Sequence, residues 1–284
     1  MVFQQRRRRF RAVLAGDSCL HPASVYDALS ARIAEDIGFE TGMFAGSVAS
    51  LAVLGAPDIA VITLTEFAEQ IRRITRAGNL PLLVDADHGY GNAHSVARTV
   101  EELEVAGVAA LTIEDTALPQ GFGESKPRLV SRGEGLGKVR AALAARRDPD
   151  LTIVARTSAL ATDGVDEAVA RAKAYAEAGA DALFLVGATA PAQIDAVRAV
   201  AKLPVICVAS PALGDAKAMA ARGIRIALQG HQPIHAAIAA VHRTLAALRA
   251  GADPANLDGM PSPDLVRTAT REETYAEATR RYLA

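Results

Sequence analysis

Apolar runs closed by polar or glycine residues recur along this chain at spacings that leave room for a helix between each pair. Leu80-Pro81-Leu82-Leu83-Val84 runs into Asp85-Ala86-Asp87, and Ala109–Ile113 into Glu114-Asp115. Leu151–Ala155 runs into Arg156-Thr157-Ser158, Ala182–Val186 into Gly187, Pro204–Val208 into Ala209-Ser210, and Ile224–Leu228 into Gln229-Gly230-His231. Short apolar runs bounded by turn residues read as buried strands. Ala23–Tyr26 and Thr41–Phe44 are weaker strands of the same kind. Between them lie Ala-, Glu- and Arg-rich segments with helical spacing: Ala28–Ile37, Leu64–Ala77, Ser95–Ala106, Val165–Ala178 and Pro191–Ala201. Gly107 and Gly179 follow two of these segments, as a helix stop requires. Apolar strands alternating with helices imply a parallel sheet covered on both faces.

Eight strands, each followed by a helix, in 284 residues favour an α/β (β/α)8 TIM-type barrel over an open doubly wound sheet. One domain spanning 1–284 is expected, with a lid near 115–128 and a helical C-terminal tail near 252–284. Half of the residues are hydrophobic, enough for a large core. A formal net charge of -1 gives no electrostatic case for nucleic acid. No apolar run reaches the length of a membrane span, and none follows the basic run Arg6–Arg9 and Arg11 in the manner of a secretory signal. That run reads as a solvated first helix or frayed end rather than a phosphate-binding arm. Two cysteines, Cys19 and Cys207, are too few for a disulfide framework and point to a reducing cytoplasm. Cys207, inside an apolar run, reads as core.

The chemistry gathers at the ends of the strands, where barrel active sites lie. Asp85 and Asp87, on alternate positions, are expected to point the same way. Crowded carboxylates repel unless a cation or a proton sits between them. Mg2+ suits such a place, since it takes one or two carboxylates and keeps waters and substrate oxygens. The structural alternatives are a helix cap for Asp85 or Asp87, a rim salt bridge for Glu114, an architectural ion pair for Arg156, and turn or helix-start roles for Ser47 and His231.

Gly46-Ser47-Val48-Ala49-Ser50, Asp58, Asp85-Ala86-Asp87-His88-Gly89-Tyr90-Gly91, Ile113-Glu114-Asp115 and Ala155-Arg156-Thr157 together resemble the isocitrate lyase and phosphoenolpyruvate mutase superfamily in order and spacing, from about Ser24 to His231. Ser24-Val25-Tyr26-Asp27, the extension to Leu51, and Gly230-His231 resemble its oxaloacetate-decarboxylating branch. The resemblance implies a homotetramer (a dimer of dimers) whose last barrel helix is swapped between subunits, bound Mg2+ for which Mn2+ substitutes, and an α-keto acid substrate. It makes Asp85 the direct metal ligand, with Asp58, Asp87 and Glu114 reaching the metal through water. It makes Gly46 and Ser47 an oxyanion-binding turn, Arg156 a grip on a substrate carboxylate, and His231 a residue of the active-site rim and a candidate for the proton. The reaction implied is decarboxylation of oxaloacetate to pyruvate through an enolate. The alternatives are carbon–carbon lysis of a substituted malate or methylisocitrate-like acid, or phosphonopyruvate-type hydrolysis or mutation. Leu118–Arg128 lacks the Cys of the isocitrate and methylisocitrate lyase loop and the Asn of the phosphonomutase lid, and Arg156-Thr157-Ser158 departs from the Arg-Thr-Asp or Arg-Thr-Asn of many relatives.

Overall fold

The computed structural model describes residues 2–283. Eight strands form: β1 (Ala23–Ser24), β2 (Gly42–Phe44), β3 (Leu82–Asp85), β4 (Ala110–Glu114), β5 (Thr152–Thr157), β6 (Ala182–Leu185), β7 (Val205–Val208) and β8 (Ile224–Leu228). All are parallel and neighbours in chain order. The sheet closes just ahead of β1. The Leu20 amide donates to the Arg225 carbonyl and the Ala227 amide to the Leu20 carbonyl, both at 2.9 Å, so Leu20 bridges β8. The strands carry near-continuous apolar residues because helices cover the outside while side chains fill the inside.

The helices are α1 (Val2–Ala15), α2 (Ala28–Ile37), α3 (Gly46–Ala49, extended by a π-helical turn over Ser50–Leu54), α4 (Leu64–Thr75), α5 (Ala93–Val105), α6 (Arg132–Ala145), α7 (Ala159–Thr162), α8 (Val165–Ala178), α9 (Pro191–Val200), α10 (Ala216–Ala221), α11 (Gln232–Arg249), α12 (Pro263–Thr270) and α13 (Glu272–Tyr282). Their starts are specified locally. Asp27 and Thr63 cap α2 and α4 in reciprocal boxes with Ser30 and Glu66, and Asn92 caps α5, each meeting amides the first turn leaves unpaired. Neither Asp85 nor Asp87 caps a helix.

The basic run departs from expectation. Arg6 and Arg7 are buried, not solvated. Arg7 donates to the carbonyls of Val108 (3.0 Å) and Glu104 (2.7 Å) and to Asp148 (2.6 Å). Arg6 reaches the Thr75 carbonyl, and Arg11 the carbonyls of Asp150 and Leu151 and the Asp181 carboxylate. Thr75 and Glu104 lie in the last turns of α4 and α5, where carbonyls lack intrahelical partners. The many-donor guanidinium satisfies several at once. Thus α1 seals the N-terminal mouth of the barrel, opposite the strand ends that hold the candidate site. Both cysteines are buried, as expected of Cys207.

The C-terminal tail is helical, as predicted. Arg271 between α12 and α13 makes a two-point pair with Asp36 at the end of α2, 2.7 Å on each arm. In α11 only Ile234 is buried, whereas Ile238, Val241, Leu245 and Leu248 are exposed along one face. No helix among the described residues is long and apolar enough to cross a membrane.

Candidate functional site

Three adjacent strands deliver the centre of the site. Asp85 ends β3, Glu114 ends β4, and Arg156 is the penultimate residue of β5. Register places Thr112 directly across from Asp85, and its hydroxyl donates to the carboxylate at 2.6 Å. The Thr116 hydroxyl donates to Glu114 at 2.9 Å. The Arg156 guanidinium pairs with Asp85, and its Nε lies 3.3 Å from Glu114 without the alignment of a hydrogen bond. The same guanidinium packs 5.3 Å above the ring of Phe184, its register partner on β6, a cation–π contact that helps fix its position.

Asp87 reaches the site by a different route from the one strand alternation suggests. β3 stops at Asp85, and Asp87 adopts a left-handed conformation at φ 47°. The turn brings its carboxylate against Gly46, where a Cβ would fall 2.6 Å from both carboxylate oxygens. Gly46 is glycine because Asp87 occupies the side-chain space. Ser47 follows in the first turn of α3, Asp58 comes from the loop before α4, and His231 precedes α11. His231 Nδ1 lies 2.9 Å from the Ser24 hydroxyl at the end of β1.

Ser47, Asp58, Asp85, Asp87, Glu114, Arg156 and His231 line one cavity of about 450 Å3. The structure therefore brings together the candidates identified from sequence, with Gly46 beneath Asp87. The expected lid also borders the cavity through Gln120, Glu124 and Lys126. Its base is closed by a Thr116–Leu129 bridge and by the Ala117 amide donating to the Arg128 carbonyl at 2.9 Å. Thr112, Thr116 and Phe184 are not singled out by the sequence, and Ser24 only as part of a family motif without a role at the site. Strand register signals the first, since a Thr facing an Asp on the next strand is placed to donate; the rest depend on tertiary placement.

Burial dominates the electrostatics. It pushes the Asp87 carboxyl well above the ordinary carboxylate range, and the Asp85 and Glu114 charges add to this against Arg156. Burial likewise raises Glu114 and Asp58, with the Asp85 charge adding to both against Arg156. Burial opposes the charge on Arg156, but Asp85 and Glu114 outweigh it and hold the guanidinium more firmly protonated. His231 is lowered by burial, against the pull of Asp85 and Asp58. Asp58, Asp85, Asp87 and Glu114 surround the Arg156 guanidinium, with Glu124 and Lys126 at the lid edge, so acidic groups outnumber basic ones on the wall, a balance that fits a divalent cation. Among the described residues, no three acidic, His or Cys side chains converge closely enough to cage an ion. An ion that keeps most of its waters, as Mg2+ does, needs only one or two carboxylates from the protein, and Asp85 with its acidic neighbours could supply them.

Residues 10–249 match the family described as Phosphoenolpyruvate phosphomutase. The chain belongs to this phosphoenolpyruvate phosphomutase family. Its relatives include proteins named oxaloacetate decarboxylase from a Bradyrhizobium species, 56% identical over 100% of this chain and 99% of the relative, and from Rhodopseudomonas palustris, 57% identical over the same shares. Among solved family structures, a phosphonopyruvate hydrolase complexed with oxalate and Mg2+ superposes with a TM-score of 0.85 at 32% identity, covering 98% of this chain and 99% of that one. An oxaloacetate acetylhydrolase bound to 3,3-difluorooxalacetate also gives 0.85, at 31% identity, covering 98% and 97%. The family fold is the barrel described above.

The contact between Gly46 and Asp87 gives a direct test. Gly46→Ala is expected to displace the Asp87 carboxylate and weaken Mg2+ binding by about tenfold or more, the scale seen when groups supporting a metal site are disturbed. Calorimetric Mg2+ titration of wild type and variant checks it; equal affinity would show that Asp87 does not serve the ion.

Proposed function

We propose that the protein is a Mg2+-dependent carboxy-lyase that converts oxaloacetate to pyruvate and carbon dioxide. The observation that carries this reading is the chemistry of the cavity wall. Oxygen donors surround a single guanidinium, Phe184, Val186 and Leu228 form an apolar side, and no thiol is present. Both cysteines lie in the core, so thiol acid–base work on a longer substituted acid has no agent here. The full-length relatives named oxaloacetate decarboxylase support the same reading.

Asp85 would bind the ion directly, while Asp58, Asp87 and Glu114 hold its waters. When bound, Mg2+ supplies Lewis-acid stabilisation of the negative charge that collects on the C2 oxygen. The chain does the rest. Asp85 engages only part of the Arg156 fork, which carries five N–H donors, leaving others for a substrate carboxylate. Donors of the Gly46–Ser47 turn, fixed before substrate arrives, add stabilisation to the developing oxyanion. The C3–C4 bond breaks, its electron pair passes into the enolate of pyruvate, and C4 departs as carbon dioxide. An apolar wall favours that neutral product over the carboxylate it came from. His231, held by Ser24, or a water it orients, then delivers a proton to C3. Closure of the lid at 115–128 over the bound acid would exclude bulk water during these steps.

The assembly we propose is a cytoplasmic homotetramer, a dimer of dimers, with each chain a single domain. Ile238, Val241, Leu245 and Leu248 form an exposed helical stripe that its own barrel does not cover, which supports exchange of α11 between subunits. Light scattering should give about four chains per particle, and Leu245→Glu should lower that number. A monomeric wild type would contradict the assembly.

Steady-state kinetics test the chemistry, corrected for the spontaneous metal-catalysed loss of carbon dioxide from oxaloacetate. Excess chelator should abolish turnover. Arg156→Ala should lower kcat/KM by about 10–150-fold, the worth of a charge-assisted hydrogen bond. His231→Gln should lower kcat by about 100-fold, the lower end of general acid–base contributions, with a smaller effect on KM. If 2,3-dimethylmalate or phosphonopyruvate turns over and oxaloacetate does not, the family's lyase or hydrolase reading replaces this one.

A further inference from the structure

The backbone that carries Asp87 is a conformation that residues with a Cβ avoid. Asp87 has φ 47° and Tyr90 φ 59°, with Gly89 at 74° between them. Such a turn persists only where its surroundings over-determine it. Here three successive carbonyls are each held by a different element. The Asp87 carbonyl accepts from the Glu114 amide of β4 at 2.9 Å, the His88 carbonyl from Lys138 Nζ of α6 at 3.0 Å, and the Gly89 carbonyl from the Thr99 hydroxyl of α5 at 3.1 Å.

Lys138 is the unusual member. Its side chain is buried, only 3% of the residue being exposed, and among the described residues it makes no salt bridge. A buried ammonium without an ion pair is costly. Nothing in the proposed reaction uses it, and it does not line the candidate-site cavity; with His88 and Glu134 it borders a separate pocket of about 260 Å3. Among the described residues, the one hydrogen bond its ammonium makes is to the carbonyl of the residue that follows Asp87.

We propose that Lys138 is a positioning residue for the metal site, fixing the His88 carbonyl and through it the Asp87 carboxylate that holds the ion's waters. This rests on the reading of Asp85, Asp87 and Glu114 as a Mg2+ site. The proposal can be separated from a simple charge effect by sign. A nearby positive charge repels a cation, so if Lys138 acted only through its charge, removing it would tighten Mg2+ binding. If it acts by holding the turn, removing it loosens binding.

The test is calorimetric titration of Mg2+ into the metal-stripped full-length protein, without substrate, for wild type, Lys138→Met and Thr99→Val. Methionine keeps most of the buried stem and loses the donor. Valine removes the neighbouring clamp with no change of charge. Lys138→Met should raise the Mg2+ Kd by about tenfold or more and Thr99→Val by a smaller factor in the same direction, within the range known for groups that support metal ligands. In turnover, the half-saturating Mg2+ concentration should rise likewise, while kcat at saturating Mg2+ stays within about threefold of wild type, since neither residue touches substrate. Unchanged or tighter binding in Lys138→Met overturns the proposal. If that variant does not fold, Thr99→Val decides, and unchanged affinity there overturns the claim that carbonyl clamps set the site. A wild type that binds no Mg2+ at all is a different result, and it overturns the metal reading itself.

Discussion

Negative charge held out of water at the ends of β3 and β4 is the constraint on which the rest of this structure depends. Asp85 and Glu114 are both nearly fully buried, and Asp87 turns in beside them. Two like charges about 4 Å apart repel by about 4 kcal/mol at the effective dielectric of a protein. Arg156 relieves part of this, lying between Asp85 and Glu114 with Phe184 beneath it. Thr112 and Thr116 supply hydrogen bonds to the same carboxylates. What remains uncompensated recommends the site for a hydrated divalent cation, whose charge, with the free donors of Arg156, would offset the repulsion met by a substrate that itself carries carboxylates.

Two ends of one barrel divide the labour. At the N-terminal mouth, the arginines of α1 satisfy carbonyls from α4, α5 and the approaches to β5, so a charged helix serves as a seal. At the other mouth, strand ends and short loops present groups whose burial is unfavourable for folding and useful for chemistry. This matches the general division in such barrels between a stabilising face and a catalytic one. Asp87 and Tyr90, both left-handed, belong to the catalytic end, and their turn is clamped from β4, α5 and α6.

Much of this was legible in the sequence because strands buried on both faces leave plain apolar runs, and the polar residues closing each run mark the catalytic face. Asp85, Glu114 and Arg156 stand at strand ends by pattern alone, and the family resemblance supplied the roles expected of them. Asp87 lines the same cavity as Asp85, but not by strand alternation, since the chain leaves the strand at Asp85 and a left-handed turn does the aiming. The fate of Arg6 and Arg7 was not legible, because their partners are backbone carbonyls and the Asp148 carboxylate, about 70 to 140 residues away, with no signature in side-chain pattern. Lys138 looks like any helical lysine until the fold puts a strained turn above it. The exposed stripe of α11 reads as an ordinary amphipathic helix; periodicity reports that a face is to be covered and is silent about which chain covers it.

The central claim is that one carboxylate touches the ion and the others act through its waters. A crystal structure with Mg2+ and oxalate, a planar analogue of the pyruvate enolate, tests it most directly. The account predicts an Asp85 oxygen at about 2.1 Å from the metal, with Asp58, Asp87 and Glu114 each separated from it by a water and oxalate completing the coordination. Direct ligation by Asp87 or Glu114, with Asp85 still paired to Arg156 alone, would contradict it.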